Sequence, residues 1–306
     1  MFWSPNTVLI LGAGASAPYG FPCGGKLRQL ILRDVAENPT FYEGAHFDLA
    51  QQRAFIDRFS RATIHRTIDA FLARWPEHRD IGAFAIASVL GSVESDAIYE
   101  NVAAPWYEVL YRALKLLRLS EKSNISGIVT FNYERSLERF LYSETEVAFG
   151  PSLRHEPLEK LRQLPIEHVH GWFGDLAVMP FGEVRSSPET CMQAARDIIL
   201  VHEHERQHLD RAKELVANAD ELMILGFGFD RQNCTKLQLL SAGPARRRIR
   251  ATETSWEPHR HQEIRELLGH AWDVNFLGVH DATHVAYSMY SFFNDLEEQP
   301  NLAVWS

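Results

Sequence analysis

Cysteine is scarce in this chain. Cys23, Cys191 and Cys234 are the only three in 306 residues, and no two form a C-x-x-C pair. A disulfide framework and a four-cysteine zinc module are therefore not expected. Such sparse, odd-numbered usage fits a reducing compartment, and a cytoplasmic location is the expectation. Long hydrophobic runs are also missing. No segment approaches the roughly 20 uninterrupted apolar residues that span a bilayer. Positive charge is in deficit, with 31 Lys and Arg against 40 Asp and Glu, a net charge of -9. That balance argues against direct nucleic-acid binding, which needs phosphate neutralisation. The opening stretch MFWSPNTVLILGAGAS has no basic segment and reads as a strand rather than a signal peptide. No repeat and no low-complexity linker divides the sequence, so residues 1–306 are expected to form a single domain.

What is present is an alternation of strands and helices. Thr7 to Leu11 (TVLIL) is a short β-branched apolar run, the pattern of a strand buried on both faces. A helix is expected over Lys26 to Ala36. From about residue 45 to 120, apolar residues recur at i, i+3, i+4 spacing with few strand candidates, which predicts a helical insertion. Alternation then resumes. Strands are expected at Gly127 to Phe131, Ile166 to Val169, Glu221 to Leu225, Arg247 to Thr252 and Trp272 to Leu277. Helices are expected at Tyr133 to Tyr142, His202 to Ala219, Pro258 to Leu268 and Ala282 to Leu296. This order predicts an α/β, Rossmann-like, mostly parallel sheet with helices on both faces.

Four segments carry candidate chemistry. Gly12-Ala13-Gly14-Ala15-Ser16-Ala17 follows the first strand and satisfies G-x-G-x-x-[GA]. Glycines there permit a sharp turn and a close approach to a pyrophosphate, whose charge exposed N–H groups stabilise. A tight turn without a ligand is the plainer reading. Asp34 and Glu37 fall inside the next helix, so the ribose carboxylate of an ordinary dehydrogenase is not evident. Thr130 to Glu134 (TFNYE) closes the second strand, where Asn132 either orients a ribose hydroxyl or caps the next helix. His168-Val169-His170-Gly171 ends the third strand. A histidine there can serve as a general base near neutral pH, or it can be a structural loop histidine, and His168 rivals His170. Gly226-Phe227-Gly228-Phe229-Asp230 follows ELMIL. It suits the far wall of a dinucleotide crevice, or a turn in which Asp230 is a helix N-cap.

Taken in order, GAGAS, TFNYE, VHG and GFGFD resemble the elements of the sirtuin-like superfamily over residues 5–35 and 125–285. The resemblance implies NAD as substrate. It implies that Gly12, Ala13, Gly14 and Ser16 hold phosphates and ribose, that Asn132 sits at the nicotinamide ribose, and that His170 is the base. Gly226 and Gly228 would line the adenosine side, with Pro22, Glu134 and Asp230 in the same binding set. Gly20-Phe21-Pro22 is not followed by Asp-Phe-Arg, and no zinc ribbon is present. The pattern is therefore most similar to sirtuin-like NAD hydrolases of bacterial anti-phage defence. That family implies cleavage of the nicotinamide–ribose bond without a metal. It also implies a homo-oligomer, and a partner such as a HerA-type ATPase or an Argonaute-type protein.

Other readings stand beside this one. A non-catalytic NAD or ADP-ribose sensor and an NAD-dependent protein deacylase would use the same crevice. His204-Glu205-Arg206-Gln207-His208 matches the H-E-x-x-H of zinc proteases, but on a charged segment that reads more simply as a solvated helix face. Arg246 to Arg248 with Arg250 form a short basic cluster, read as a strand end or a phosphate contact. Thr67 to Leu72 is read as packing through Ile68, Phe71 and Leu72.

Overall fold

The computed structural model describes residues 6–64, 67–102, 105–114, 123–153, 155–198, 206–240, 247–253, 258–269 and 272–278. The helix expected over 282–296 lies outside the described residues, as do His204, Glu205 and Arg246.

Among the described residues, six strands form one sheet: β1 (Thr7–Leu11), β2 (Ile125–Thr130), β3 (Ile166–His168), β4 (Glu221–Leu225), β5 (Arg247–Glu253) and β6 (Trp272–Gly278). All pairings are parallel, in the order β3-β2-β1-β4-β5-β6. The period-2 alternation of strand side chains divides the core in two. Leu9 and Leu11 of β1 join Ile128, Met223 and Leu225 on one face. Val8 and Ile10 join Val129, Leu222 and Ile224 on the other. The Val, Ile and Leu content of β1 thus reflects a strand covered on both sides.

The first face lies under a thick helical layer. Helix Arg79–Gly91 is its centre, buried at every residue from Ile81 to Gly91, as an all-round apolar helix must be. It packs against helices Gly24–Glu37 and Pro188–Arg196. The helices of the 45–120 stretch therefore share one core with segments before and after it. The second face is covered by helices Arg206–Asn218 and Pro258–Leu268, through Ala212, Val216, Ile264 and Leu268. The architecture is an α/β, Rossmann-like sheet with helices on both faces.

Two boundaries differ from expectation. The helix expected from Tyr133 begins at Ser136 and runs to Leu153, with a break at Gly150 where φ is 62°. Residues 131–135 instead form a turn whose side chains are held by other parts of the molecule. Helix Pro188–Arg196 was not anticipated. Its capping box, Ser187 with Thr190, explains its start.

Candidate functional site at the sheet's carboxyl edge

In a parallel sheet every strand ends on the same side, so the loops after β1 to β5 gather at one edge. The chain steps from β1 outward to β2 and β3, then returns across β1 to β4. The crevice of an open α/β sheet opens at such a reversal.

Two glycine loops build its floor. The Gly12 N–H donates to Leu225 O at 2.9 Å, and the Gly14 N–H to Gly226 O at 2.9 Å. A Cβ on Gly12 would lie 2.5 Å from Gly226 O. Gly226 has φ +58°, and a Cβ there would lie 2.1 Å from Ala15 N. These glycines are demanded by the contact between the loops, and two of their N–H groups are spent on it. The contribution of Gly12 and Gly14 to the crevice is shape, not the pair of exposed donors the sequence suggested. Gly228 differs, since a Cβ there meets nothing within 4 Å.

Above this floor lies a cavity of about 530 Å³. Gly12, Ala13, Gly14 and Ser16 enter it from the first loop, and Pro22 from the segment before helix Gly24–Glu37. Asn132 and Glu134 line it from the turn after β2, and His170 from the turn after β3. Gly226, Gly228 and Asp230 complete it after β4. The residues that the resemblance puts in the binding set thus border the same space, whereas the rival His168 does not.

Asn132 does not cap a helix. Its Nδ2 donates to Ser16 Oγ and to Glu134 Oε1, each at 3.3 Å. Its Oδ1 is buried with no hydrogen-bond partner. Glu134 is itself buried, and its Oε2 accepts the Ser136 N–H at 2.7 Å. Burial raises its carboxyl to about 7. Hydrogen bonds from Ser136 pull it down, the charge of Glu138 pushes it up, and a hydrogen bond from Ser16 lowers it. Behind it, Ser136 Oγ is 2.7 Å from Tyr107 Oη. The Tyr107 ring stacks on Tyr19 at 3.8 Å, and Trp106 Nε1 donates to Ala15 O at 2.7 Å. The helical layer therefore braces both the first loop and the turn after β2.

The two histidines separate cleanly. His168 is committed: Nδ1 faces Asn132 O at 2.8 Å, Nε2 faces Glu138 Oε1 at 2.5 Å, and Trp172 stacks on the ring. Burial opposes a charge on His168, but Glu138 and the Asn132 carbonyl outweigh it and raise its pKa. His170 is buried between Phe131 and Tyr133, and its Nε2 has no partner. Burial lowers its pKa to about 4, against an upward pull from Asp69, a downward push from Lys236, and upward pulls from Asn233 and Asp230. At neutral pH it is an uncharged ring with a free nitrogen.

Asp69, Asn233, Thr252 and Arg260 also border the cavity, outside the expected binding set. Asp69 lines it and accepts from Tyr133 Oη at 2.7 Å, so the Thr67–Leu72 segment supplies a wall as well as packing. Asn233 stands beside His170 with its Oδ1 buried and unpartnered. Thr252 accepts the Gly226 N–H through Oγ1 at 2.9 Å. Arg260 borders the cavity and donates to Gly228 O at 2.9 Å. Asp230 caps helix Arg231–Lys236, accepting the N–H groups of Gln232 and Asn233 while facing the cavity.

Asp34, His208, Arg247 and Arg250 have structural partners. Asp34 is bound by Arg185, Tyr42 and Ser88. His208 Nδ1 lies 2.8 Å from Glu167 Oε2, and among the described residues no group of three or more His, Cys, Asp or Glu is placed to hold a metal ion. Arg250 pairs with Glu221 at 2.8 Å, and Arg247 lies over the Trp272 ring. Among the described residues no helix is long and apolar enough to cross a membrane. A larger crevice of about 1040 Å³ runs along edge strand β3, past Tyr142, Leu161 and Trp172. No buried, unpartnered side-chain atom borders it among the described residues, whereas three border the cavity at the glycine loops.

Strand order, the crevice at the reversal and the glycine floor define a Rossmann-like α/β protein. No protein-family model and no curated protein matches the chain. A solved structure described as Sir2Tm bound to a propionylated peptide is similar to it at 13% identity and a TM-score of 0.41, over 94% of this chain and 92% of that one.

Proposed function

We propose that this chain hydrolyses NAD+ at the nicotinamide–ribose bond, giving nicotinamide and ADP-ribose. One observation carries the reading. Three buried polar atoms without protein partners, Asn132 Oδ1, His170 Nε2 and Asn233 Oδ1, border one cavity at the sheet reversal. Leaving such atoms unsatisfied costs about 1–3 kcal/mol each, so they await a partner. Two are acceptors by nature, and the third is a neutral imidazole nitrogen that can accept. Three donors satisfy them, and the two vicinal hydroxyls of a ribose together with an attacking water supply that number. A phosphate or carboxylate does not.

The charges of the cavity agree with the same ligand. Asp69, Glu134 and Asp230 line it, favouring a cationic nicotinamide ring and the oxocarbenium-like charge that develops as the bond breaks. Arg260 offers a guanidinium to the phosphates. In the step itself, water attacks C1′ and the C1′–N bond breaks, its electron pair leaving with neutral nicotinamide. His170 Nε2 takes the proton of the attacking water, while Asn132 orients the ribose.

The same proposal casts the chain as an effector of anti-phage defence that depletes NAD+ as a homo-oligomer, switched on by a partner of the HerA-type ATPase or Argonaute-type kind. The test is nicotinamide release from NAD+ by the purified protein, with and without such a partner. Asn132→Ala and His170→Ala are each expected to lower kcat/KM by about 10²–10⁴-fold with the thermal midpoint retained. Binding of ADP-ribose without any nicotinamide release would make the chain a sensor. Full turnover in the folded double variant would sink the assignment of these two residues.

A further inference from the structure

We propose that Glu134 is a positioning residue that sets which end of the Asn132 carboxamide faces the cavity, so that one proton on Glu134 reverses Asn132 from acceptor to donor. The proposal rests on the reading of Asn132 as a ligand-facing group. The backbone of Asn132 is pinned at both ends. Its N–H donates to Thr130 Oγ1 at 3.1 Å, and its carbonyl is held by His168 Nδ1 at 2.8 Å. Rotation of the carboxamide is the freedom left to it. In the arrangement observed, Nδ2 points to Glu134 Oε1 and Ser16 Oγ, and Oδ1 is the orphaned atom.

An ionised carboxylate only accepts, so it holds the NH2 end of Asn132 toward itself and leaves Oδ1 for the cavity. The two oxygens of Glu134 are not equivalent. Oε2 is occupied by the Ser136 N–H at 2.7 Å, so a proton settles on Oε1, the oxygen facing Asn132. An O–H there opposes an N–H donor. The carboxamide must turn, bringing Oδ1 to Glu134 and its NH2 into the cavity. Asn132 Oδ1 and Asn233 Oδ1 would accept from the two hydroxyls of a diol while His170 Nε2 accepts from the attacking water, and the donor form of Asn132 no longer accepts from that diol.

The groups facing Glu134 leave its titration near neutrality. Glu138, from helix Ser136–Leu153, disfavours its charge, and Glu138 is paired with His168 of β3. Tyr107, from helix Trp106–Ala113, and Tyr99, from the turn Asp96–Tyr99, are both held neutral by burial. The adjacent Arg135 guanidinium is turned away, paired with Glu94 at 2.6 Å. Burial thus places the carboxyl at about 7.

The test has two arms. In ligand-free protein carrying 15N-labelled asparagine, the Asn132 side-chain amide signals, assigned through Asn132→Ala, are expected to titrate with a midpoint of about 7. In Glu134→Gln, whose carboxamide accepts from Ser136 and donates to Asn132, they should not move. For turnover, kcat/KM of the wild type should fall about tenfold per pH unit below the midpoint, as for one essential ionisation. Glu134→Gln should be low and flat between about pH 5.5 and 8.5. Wild-type amide signals that stay fixed across that range overturn the proposal, and so does an unchanged titration in Glu134→Gln. The wild-type arm needs no variant to fold. An amide titration without any NAD+ turnover would sink the hydrolase reading and leave the switch standing.

Discussion

The buried imidazole of His170 makes a prediction about stability that is independent of any ligand. Its pKa falls from an ordinary 6.5 to about 4 because burial disfavours the charge. A fall of that size corresponds to roughly 3 kcal/mol. Between pH 6.5 and 4 the unfolded chain takes a proton at this site and the folded chain does not. The stabilisation is therefore fully present above 6.5 and is lost as pH falls toward 4. Glu134 works in the opposite sense. Its carboxyl rises from 4.5 to about 7, so its contribution is present below 4.5 and is lost as pH rises through 7. Between 4.5 and 6.5 the two nearly cancel, and the wild type hides both. His170→Phe, which keeps an aromatic ring beside Phe131 and Tyr133, removes one side of the balance. Urea unfolding followed by circular dichroism should show the variant gaining roughly 3 kcal/mol on the wild type from pH 7 to pH 4. A stability difference constant within about 0.5 kcal/mol over that range would refute a buried, neutral His170.

Two further perturbations separate structural from ligand-facing roles. Gly226→Ala should cost more than about 2 kcal/mol, from its positive φ and the overlap with Ala15 N, whereas Gly228→Ala should change stability by less than about 0.5 kcal/mol yet weaken ADP-ribose binding measured by calorimetry. Glu94→Ala leaves the fully buried Arg135 guanidinium without its carboxylate and should cost about 3–5 kcal/mol by urea unfolding. Because Arg135 also holds the carbonyls of Gly174 and Met179, amide exchange across 174–182 should quicken in Glu94→Ala, and Glu94→Ala with Arg135→Met should recover much of the stability.

The parts of this molecule that were legible in its sequence are those written in local pattern. TVLIL and ELMIL are buried at every position, and apolar after Thr7 and Glu221, because both faces of β1 and β4 are covered, and each is closed by glycine, so strand and turn were both visible. Pro258–Leu268 was bounded correctly by its periodicity. Other features depend on partners distant in sequence. Nothing in VHEHERQHLD distinguishes a metal-binding His208 from one paired with Glu167, 41 residues earlier. His168 and His170 look alike in the stretch EHVHG, and only Glu138 and the Asn132 carbonyl commit the first and leave the second free. Asn132 looked like a helix cap because local sequence cannot reveal that Glu134 meets the Ser136 N–H and that the helix waits until residue 136. Asp69, Asn233 and Arg260 enter the cavity from three separate elements, and no spacing joins them. Helix Pro188–Arg196 did carry a readable start in Ser187, Pro188 and Glu189, an N-cap followed by proline and an acid in the first turn.

The glycine loops show why a motif and its chemistry have to be weighed apart. G-x-G-x-x-[GA] suggests N–H groups aimed at a phosphate, yet here the N–H groups of Gly12 and Gly14 end on Leu225 and Gly226. Their small size is consumed by the approach of two backbones, which draws the ends of β1 and β4 together and fixes the crevice between them. What that crevice can recognise is then decided by side chains. Among the described residues, three carboxylates and three orphaned polar atoms border it, with the guanidinium of Arg260 as the one arginine in its walls. Such a wall would repel a purely anionic ligand. It suits a molecule that carries a cation and a diol at one end and its phosphates at the other, and the distribution of charge across NAD+ has that form. Recognition of the proposed substrate therefore falls to Asn132, His170, Asn233 and the acids around them, whether or not the glycine loops touch a phosphate.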